Sequence, residues 1–336
     1  MSPKLCVRAW HSVRFACAGL LLASACHGSA AVAPTQEAQA QVPAGRTEAT
    51  SDLDAGPASA SCPRVKPPEV VGKLPETGLD EVSGLIASRA NPGLLWVHND
   101  SGDSPRVFAI QTNGKVRYEV ALRGAQAVDY EDIAIGPGPV EGKTYLYVGD
   151  IGDNLARREH VQIYRFEEPS LAADGPTKLT ADAARIDLAY EGGPRDAEAL
   201  LVDAASGDLF IVAKGSFFSS HDAPIGLYRI ARQELLKPQA LAHFVLNLPL
   251  GPVTAADLVP DGSGVAIRNY RQLFFWPRAP GQSLVEALSG TPCPWPLADT
   301  KKQGESFGFR ADGLGYFTIS EGEEQPIYFY ALESLR

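Results

Sequence analysis

Acidic residues separated by a single position recur along the chain. Asp129 is followed by Glu131 and Asp196 by Glu198, and Glu305 stands in a similar segment near the end. Carboxylates that are brought close together raise one another's pKa unless a cation neutralises them. Such a cluster can do two kinds of chemistry. It can coordinate a hard cation such as Ca²⁺, which takes about six to eight oxygen ligands, or a carboxylate can act as a general acid or base.

These acidic residues belong to a short pattern that occurs five times. The pattern begins with a polar residue, has a second polar or small residue two positions later, and ends in an apolar run. Its copies are Glu81-Val-Ser-Gly-Leu-Ile, Asp129-Tyr-Glu-Asp-Ile-Ala, Asp196-Ala-Glu-Ala-Leu-Leu, Thr254-Ala-Ala-Asp-Leu-Val and Gln303-Gly-Glu-Ser-Phe-Gly. Their first residues are 48, 67, 58 and 49 positions apart, close to the roughly 40–50 residues of one propeller blade.

The segments that follow each copy read as strands. A turn rich in Gly, Pro or Asp comes first, and two runs of β-branched and aromatic residues come next. The sequence therefore predicts an all-β fold, a β-propeller of five four-stranded blades, in which the 67-residue interval leaves room for part of a sixth. The last blade lacks a fourth strand, and the N-terminal strand 69–74 can supply it and close the ring.

In a propeller, the starts of the first strands and the ends of the second strands meet at one mouth of the central channel. We expect three rings of side chains there. The first is Glu81, Asp129, Asp196, Thr254 and Gln303, and the second is Ser83, Glu131, Glu198, Ala256 and Glu305. The third is Asn99, Asp150, Lys214, Asn269 and Glu321, with His98 and Arg268 beside them. Either a cation neutralises this mouth, or Lys214 and Arg268 pair with the carboxylates and form a hydrogen-bonded plug.

Two loops have the composition of cation-binding loops. Gly149-Asp150-Ile-Gly-Asp153-Asn154 alternates Gly with oxygen-bearing side chains, and His98-Asn99-Asp100-Ser-Gly-Asp103 is similar. The same residues are typical of Asx-turns, in which the side chains bond to their own backbone. Both interpretations remain open at this stage.

The N-terminus predicts export. Lys4, Arg8 and Arg14 precede a short apolar run, so residues 1–25 are predicted to be a signal peptide rather than a membrane-spanning helix. Ala23-Ser24-Ala25-Cys26 resembles a lipobox, which makes Cys26 the candidate lipidation site. Ordinary cleavage near residue 30 is the alternative, and it would release a soluble protein.

Residues 26–61 contain few large apolar side chains, so we expect a disordered tether before a propeller domain at 62–336. Cys62 and Cys293 remain as an even pair in an oxidising compartment, and they are predicted to form a disulfide. Two free thiols are the alternative.

The charge of the chain limits its partners. Removing three basic residues with the signal peptide leaves 27 basic and 40 acidic residues, a net charge of 27 − 40 = −13. This acidity argues against nucleic acid as a partner. We expect a monomer that binds a small molecule, a glycan or a surface protein, and that meets the membrane only through its lipid anchor.

Several motifs together resemble a family of secreted bacterial propeller proteins over residues 76–325. They are Glu-x-Ser-Gly-Leu, His-Asn-Asp-Ser-Gly-Asp, Tyr-Glu-Asp-Ile-Ala, Gly-Asp-Ile-Gly-Asp-Asn and Gly-Glu-Ser-Phe. This family is distantly similar to phytase-like, esterase-like and gluconolactonase-type propellers, whose mouth carboxylates and Asn residues hold Ca²⁺. The resemblance implies Glu81, Asn99, Asp150 and Asn269 as metal ligands, whereas Lys214 and Arg268 depart from the pattern.

Three functions follow. The first is a binding module with an acidic, calcium-binding mouth, where His98, Lys214, Arg268, Glu305 and Glu321 contact the ligand. The second is a calcium-assisted hydrolase of a phosphate ester or lactone, in which Glu131 or Glu198 acts as the catalytic base. The third is a cell-envelope scaffold whose channel charges only hold the blades together. Fold alone does not separate them.

Overall fold

The structure is a computed structural model that describes residues 62–76, 78–172, 174–215, 224–298 and 304–333. The predicted signal peptide, Cys26 and the tether up to residue 61 lie outside the described residues. None of the helices within these ranges is long and apolar enough to span a membrane.

Alternating and continuous apolar runs form the 21 strands of the described chain. The first is β1 (Glu69–Lys73). Blade 1 then contains β2 (Val82–Ala87), β3 (Leu94–Asn99), β4 (Arg106–Gln111) and β5 (Val116–Arg123). Blade 2 contains β6 (Tyr130–Pro137), β7 (Thr144–Asp150), β8 (Val161–Glu167) and, after the short strand β9 (Lys178–Asp182), β10 (Ala184–Tyr190).

The other three blades follow the same order. Blade 3 contains β11 (Ala197–Val202), β12 (Leu209–Ala213), β13 (Pro224–Ile230) and β14 (Gln239–Pro249). Blade 4 contains β15 (Val253–Leu258), β16 (Gly264–Asn269), β17 (Leu273–Pro277) and β18 (Cys293–Trp295), with helix α1 (Leu284–Leu288) before β18. Blade 5 contains β19 (Gly304–Phe309), β20 (Gly315–Ser320), β21 (Pro326–Ala331) and β1.

The ring closes as the sequence predicted. The N-terminal strand β1 pairs with β21 and completes blade 5. The first strands of the blades contact one another in order around the ring, and β19 contacts β2. The predicted five-bladed propeller, closed by an N-terminal strand, is therefore confirmed for the described residues.

The long second interval does not contain a sixth blade. Its extra residues form β9, which pairs in parallel with β5 on the outer edge of blade 1. A second parallel contact, between β10 and β14, joins blades 2 and 3 into one sheet. Both contacts cover outer strand edges, which would otherwise be open to pairing with other chains.

The core lies between the blades rather than in one centre. Each of five clusters of buried apolar side chains is shared by two neighbouring blades. Trp96 packs in the cluster between blades 1 and 2, and Trp276 in the cluster between blades 3 and 4. Stacked Trp295 and Tyr316 join blade 4 to blade 5. Apolar packing between the blades thus holds the ring together. Because the core does not lie in the channel, the channel can carry polar side chains.

A disulfide joins Cys62 to Cys293, with 5.8 Å between their Cα atoms. It links the segment before β1 to the three-residue strand β18, which is too short to stand out in the sequence. The Trp295 indole N–H donates to the Pro63 carbonyl at 3.2 Å and reinforces the same junction. The predicted disulfide is present in the structure.

Candidate functional site

Each first strand carries a β-bulge at the channel mouth. In blade 2, Tyr130 faces Asp150 and Asp132 faces Gly149, so Glu131 is an extra residue without a cross-strand partner. The same one-residue shift occurs in every blade. In blade 1 the shift falls between Val82 and Leu85, and the extra residues of the other blades are Glu131, Glu198, Thr254 and Glu305. Bulges change the direction of a side chain, and here three of the five carry a carboxylate.

The residue that follows each second strand provides the other half of the mouth. Asp100 donates its backbone N–H to the Glu81 carbonyl at 2.8 Å, and Lys214 donates to the Asp196 carbonyl at 3.0 Å. These bonds fix the second-strand exits beside the first-strand starts. By the strand register, the equivalent residues are Asp100, Ile151, Lys214, Tyr270 and Glu321.

Seven carboxylates form what we call the acidic mouth: Asp100, Asp129, Glu131, Asp196, Glu198, Glu305 and Glu321. They make three triads, in each of which one oxygen per residue lies within 4.8 Å of the other two. The triads are Asp100–Glu305–Glu321, Asp100–Asp129–Glu131 and Glu131–Asp196–Glu198. Because Asp100 and Glu131 each belong to two triads, the seven groups form one continuous arc across blades 5, 1, 2 and 3.

Glu131 lies where two triads meet. Its side chain is buried, and its pKa is raised well above the usual range by burial and by the neighbouring Glu198. Burial and Asp196 also raise the pKa of Asp129. The charges of these carboxylates repel one another, so protons, the Lys214 ammonium or a bound cation must reduce that repulsion.

Carboxylate pKa values are also raised on the blade 5 side of the mouth. Burial, with the charges of Asp129 and Glu305, raises the pKa of Asp100 to about 7. Burial and a hydrogen bond with Glu305 raise the pKa of Glu321 to about 8. Tyr270 donates its hydroxyl to Glu305 at 3.1 Å.

Glu198 is only 1% exposed and pairs through Oε1 with the ammonium of Lys214. Its second oxygen, Oε2, is buried and has no hydrogen-bond partner among the described residues. Burial raises the pKa of Glu198, while Lys214 opposes that shift. A buried carboxylate oxygen without a donor is costly, and a cation in the Glu131–Asp196–Glu198 triad would satisfy it.

The predicted third ring was misaligned by one residue. Asn99, Asp150 and Asn269 end their second strands, whereas Lys214 and Glu321 come one position later. Side chains alternate along a strand, so a shift of one position turns them to another side.

The three misaligned residues instead cap loops. Asn99 donates to the Gly78 carbonyl and to Asp103. Asp150 accepts from the backbone of Val128 and Asp129 and pairs with Arg158. Asn269 donates to the Leu250 carbonyl and accepts from two backbone N–H groups. None of them, nor the exposed Glu81, belongs to a triad. Their role as metal ligands stays a prediction.

The loop after β7 contacts the acidic mouth through its backbone rather than through its side chains. A Cβ at Gly152 would lie within 2.5 Å of carboxylate atoms of Glu131 and Asp129, so any other residue would push these side chains aside. The backbone N–H of Asp153 donates to Asp196 at 2.8 Å, while its carboxylate caps the Arg158 N–H. The side chain of Asp153 therefore bonds to the backbone of its own loop.

Two predicted ligand-binding residues lie in the closed interior. His98 is 0% exposed, packs edge-on against Tyr130, and hydrogen-bonds through Nδ1 to the Asn99 carbonyl. Burial lowers its pKa to about 4, so the ring is neutral at pH 7. Arg268 is equally buried and donates to the Ser306 carbonyl of blade 5 at 2.8 Å. Both positions favour a structural role.

Two further aspartates hold the blades together. Asp132, fully buried, accepts backbone N–H groups of Ile133 and Leu200, both at 2.8 Å, and of Ala256 at 3.4 Å, and so connects blades 2, 3 and 4. Asp257 accepts the Phe309 N–H at 2.7 Å and connects blades 4 and 5. These contacts are of the kind that the scaffold interpretation predicted.

The sequence did not predict a functional role for every residue of the acidic mouth. Asp129 and Asp196 appeared in the predicted rings without an assigned role, and Asp100 was passed over for Asn99. The missing signal was the position of the bulges. Thr254 was likewise aligned with Asp129, although the register makes it the equivalent of Glu131.

A groove of about 1360 Å³ lies elsewhere, between the outer parts of blades 3 and 4. Two ion pairs line it, Arg229 with Asp208 and Arg278 with Asp203. No carboxylate triad lies in it. Among the described residues, the carboxylate triads lie at the mouth and not in this groove.

Comparisons with known proteins add little to this geometry. No protein-family model matches the chain, and no curated protein matches it. Among solved structures, the WD40 domain of Neurospora crassa Pan2 aligns with 10% identity and a TM-score of 0.41, covering 82% of this chain and 98% of that one. Hydrazine synthase of Kuenenia stuttgartiensis aligns with 15% identity and a TM-score of 0.38, covering 73% and 75%. The fold assignment rests on the sheet topology, and function must be argued from the mouth.

Proposed function

We propose that this protein is an extracytoplasmic binding module whose acidic mouth holds Ca²⁺ in the Glu131–Asp196–Glu198 triad. One observation carries the proposal: Glu198 is buried within a carboxylate triad, and its Oε2 has no partner among the described residues. A hard dication is the group that carboxylate oxygens of this density accept best. The bound ion would present open coordination positions to a ligand.

Neighbouring oxygens can complete the coordination shell. Asp129 and Asp100 continue the arc from Glu131, so they can bind the ion directly or through water. Glycine at position 152 lets the loop approach these carboxylates. Hydroxyl-rich and carboxyl-bearing ligands bind well to such an ion, and a small molecule or glycan fits this chemistry; a surface protein with an acidic side chain is the other candidate.

The hydrolase interpretation uses the same ion. In it the ion polarises the scissile ester or lactone, and a mouth carboxylate accepts a proton from water. The raised pKa of Glu131 favours a group that can hold a proton. Chelator-sensitive turnover of a lactone or phosphate ester would support this role for Glu131 and Glu198, and without such turnover the binding module stands.

A melting experiment tests the calcium site. At about 100 times its dissociation constant, Ca²⁺ should stabilise the chelator-treated protein by about 2.7 kcal/mol and raise its Tm by about 5–10 °C. Glu131→Gln should melt at or above the wild-type temperature in chelator, because one repelling charge is gone. In calcium it should gain at most half the wild-type shift.

Glu141→Gln is the matched control, because Glu141 is an exposed carboxylate in the β6–β7 turn, at the other end of blade 2. It should respond to calcium like the wild type. An identical calcium response of Glu131→Gln and wild type would remove this site from consideration.

We also propose that the protein is exported and anchored through Cys26. The disulfide between Cys62 and Cys293 fits an oxidising compartment. Cys26→Ser should move the protein from the membrane fraction to the soluble extracytoplasmic fraction, because one acylated Cys would be the attachment point. Fractionation followed by immunoblotting measures this, with Cys293→Ser as a control that should stay in the membrane fraction. Unchanged partitioning of Cys26→Ser would contradict the anchor.

A further inference from the structure

Lys214 places a permanent cation inside the proposed calcium site. Its ammonium pairs with Oε1 of Glu198, and both side chains are largely shielded from solvent. The two side chains form an ion pair, in which the carboxylate favours the charged form of the ammonium. The ammonium is therefore charged at neutral pH.

The backbone at this residue is fixed, whereas its side chain can move. The Lys214 N–H donates to the Asp196 carbonyl and its carbonyl accepts the Val253 N–H, both at 3.0 Å. These bonds tie the residue to blades 3 and 4. The four-carbon stem of the side chain is flexible and holds a single point charge rather than a rigid fork. Lys214 can thus release Glu198 without any change in the strands.

The pair satisfies only part of the triad. Lys214 bonds one oxygen of Glu198, and the other has no partner in the described chain. Glu131 is buried in the same triad, where its carboxylate lies close to those of Asp196 and Glu198. One monovalent charge therefore stands where three carboxylates converge.

We propose that Lys214 is the specificity-determining residue of this site, a tethered cation that an incoming ion must displace from Glu198. This inference rests on the proposed calcium site. A monovalent ion would exchange one charge for an equal one and gain little, whereas a dication brings twice the charge and can bond all three carboxylates. Lys214 would therefore select divalent ions and keep their affinity moderate.

The test is a calorimetric titration of chelator-treated full-length protein with calcium chloride, repeated with potassium chloride at matched ionic strength. Lys214→Met removes the competing charge and keeps the apolar stem. It should bind Ca²⁺ roughly tenfold or more tightly, and potassium should now compete measurably. Lys214→Arg keeps the charge and should bind no more tightly than the wild type. Lys115→Met, at an exposed turn of blade 1, should leave the affinity unchanged.

A second readout reports the displacement itself. Acetylation of Lys214 by a mild amine-reactive acetyl donor, followed by peptide mass spectrometry, should be several-fold faster with calcium than with chelator, because an ammonium freed from its carboxylate loses a proton more readily and so forms the reactive amine. Lys115 should be acetylated at the same rate in both conditions. A purely structural Lys214–Glu198 pair would show no such acceleration. This measurement uses the wild-type protein, so it decides the matter even if a Lys214 variant fails to fold.

The outcomes separate the two proposals. Calcium binding by the wild type with equal or weaker binding by Lys214→Met would overturn the role of Lys214 and leave the calcium site standing. An absence of binding by both proteins would overturn both proposals. Binding by Lys214→Met alone would contradict a calcium site in the native protein, because the ammonium would then exclude the ion rather than be displaced by it.

Discussion

Cys62→Ser or Cys293→Ser should lower the free energy of unfolding by about 3–5 kcal/mol, the larger value being the chain-entropy limit for a loop this long. The bond spans 231 positions of sequence. It joins the segment that leads into the closing strand β1 to blade 4, so its loss frees the junction where the ring closes. The free energy should be measured by denaturant unfolding in oxidising buffer.

The two single variants and the double variant should lose the same amount, because each removes the same bond. Wild-type protein kept in reductant should behave like the variants. Single variants as stable as the oxidised wild type would mean that the disulfide does not constrain the unfolded chain.

Asp132→Ala should destabilise the propeller by about 3–5 kcal/mol, since it leaves buried N–H groups without an acceptor, at about 1–3 kcal/mol each. Asp132 accepts backbone N–H groups from three blades, with Leu200 and Ile133 at the shorter distances. Asp132→Asn should lose less, because its amide keeps one oxygen acceptor. Chemical unfolding at pH 7 measures both.

Asp174→Ala is the control, because Asp174 is an exposed aspartate in a turn. A surface change of this kind should alter stability by no more than about 0.5 kcal/mol. If Asp132→Ala is as stable as Asp174→Ala, then the bonds between blades do not hold the channel together.

The sequence predicted the blades because each repeat combines a polar start, an apolar strand and a turn. The predicted closing strand 69–74 matches β1 to within one residue. The strand β18 was missed because three residues with a central proline carry no pattern of alternation. Its place is set by the disulfide and by Trp295, which are contacts distant in sequence.

The site was predicted less completely than the fold, because its residues depend on the pairing register of the first and second strands. The first strands alternate their side chains, and one extra residue per strand changes which of them face the channel. Glu131 and Glu198 were correctly placed in one ring because the two repeats are bulged alike. Asn99 was chosen instead of Asp100 because a one-residue offset between second-strand ends cannot be read without knowing the cross-strand pairs.

The sequence also does not distinguish buried polar residues from polar residues that bind a ligand. His98 and Arg268 lie next to the mouth in sequence, but their side chains are fully buried and bond to backbone carbonyls. A buried neutral histidine and a ligand-binding histidine have the same sequence signature. Only the packing against Tyr130 and Gly84 distinguishes them.

The most direct test of the calcium site is an anomalous difference map from a crystal of chelator-treated protein soaked in calcium. We predict a peak bounded by carboxylate oxygens of Glu131, Asp196 and Glu198, at about 2.3–2.6 Å from each, with the Lys214 ammonium moved away from Glu198. A map without a peak there, with Lys214 still paired to Glu198, would contradict the account.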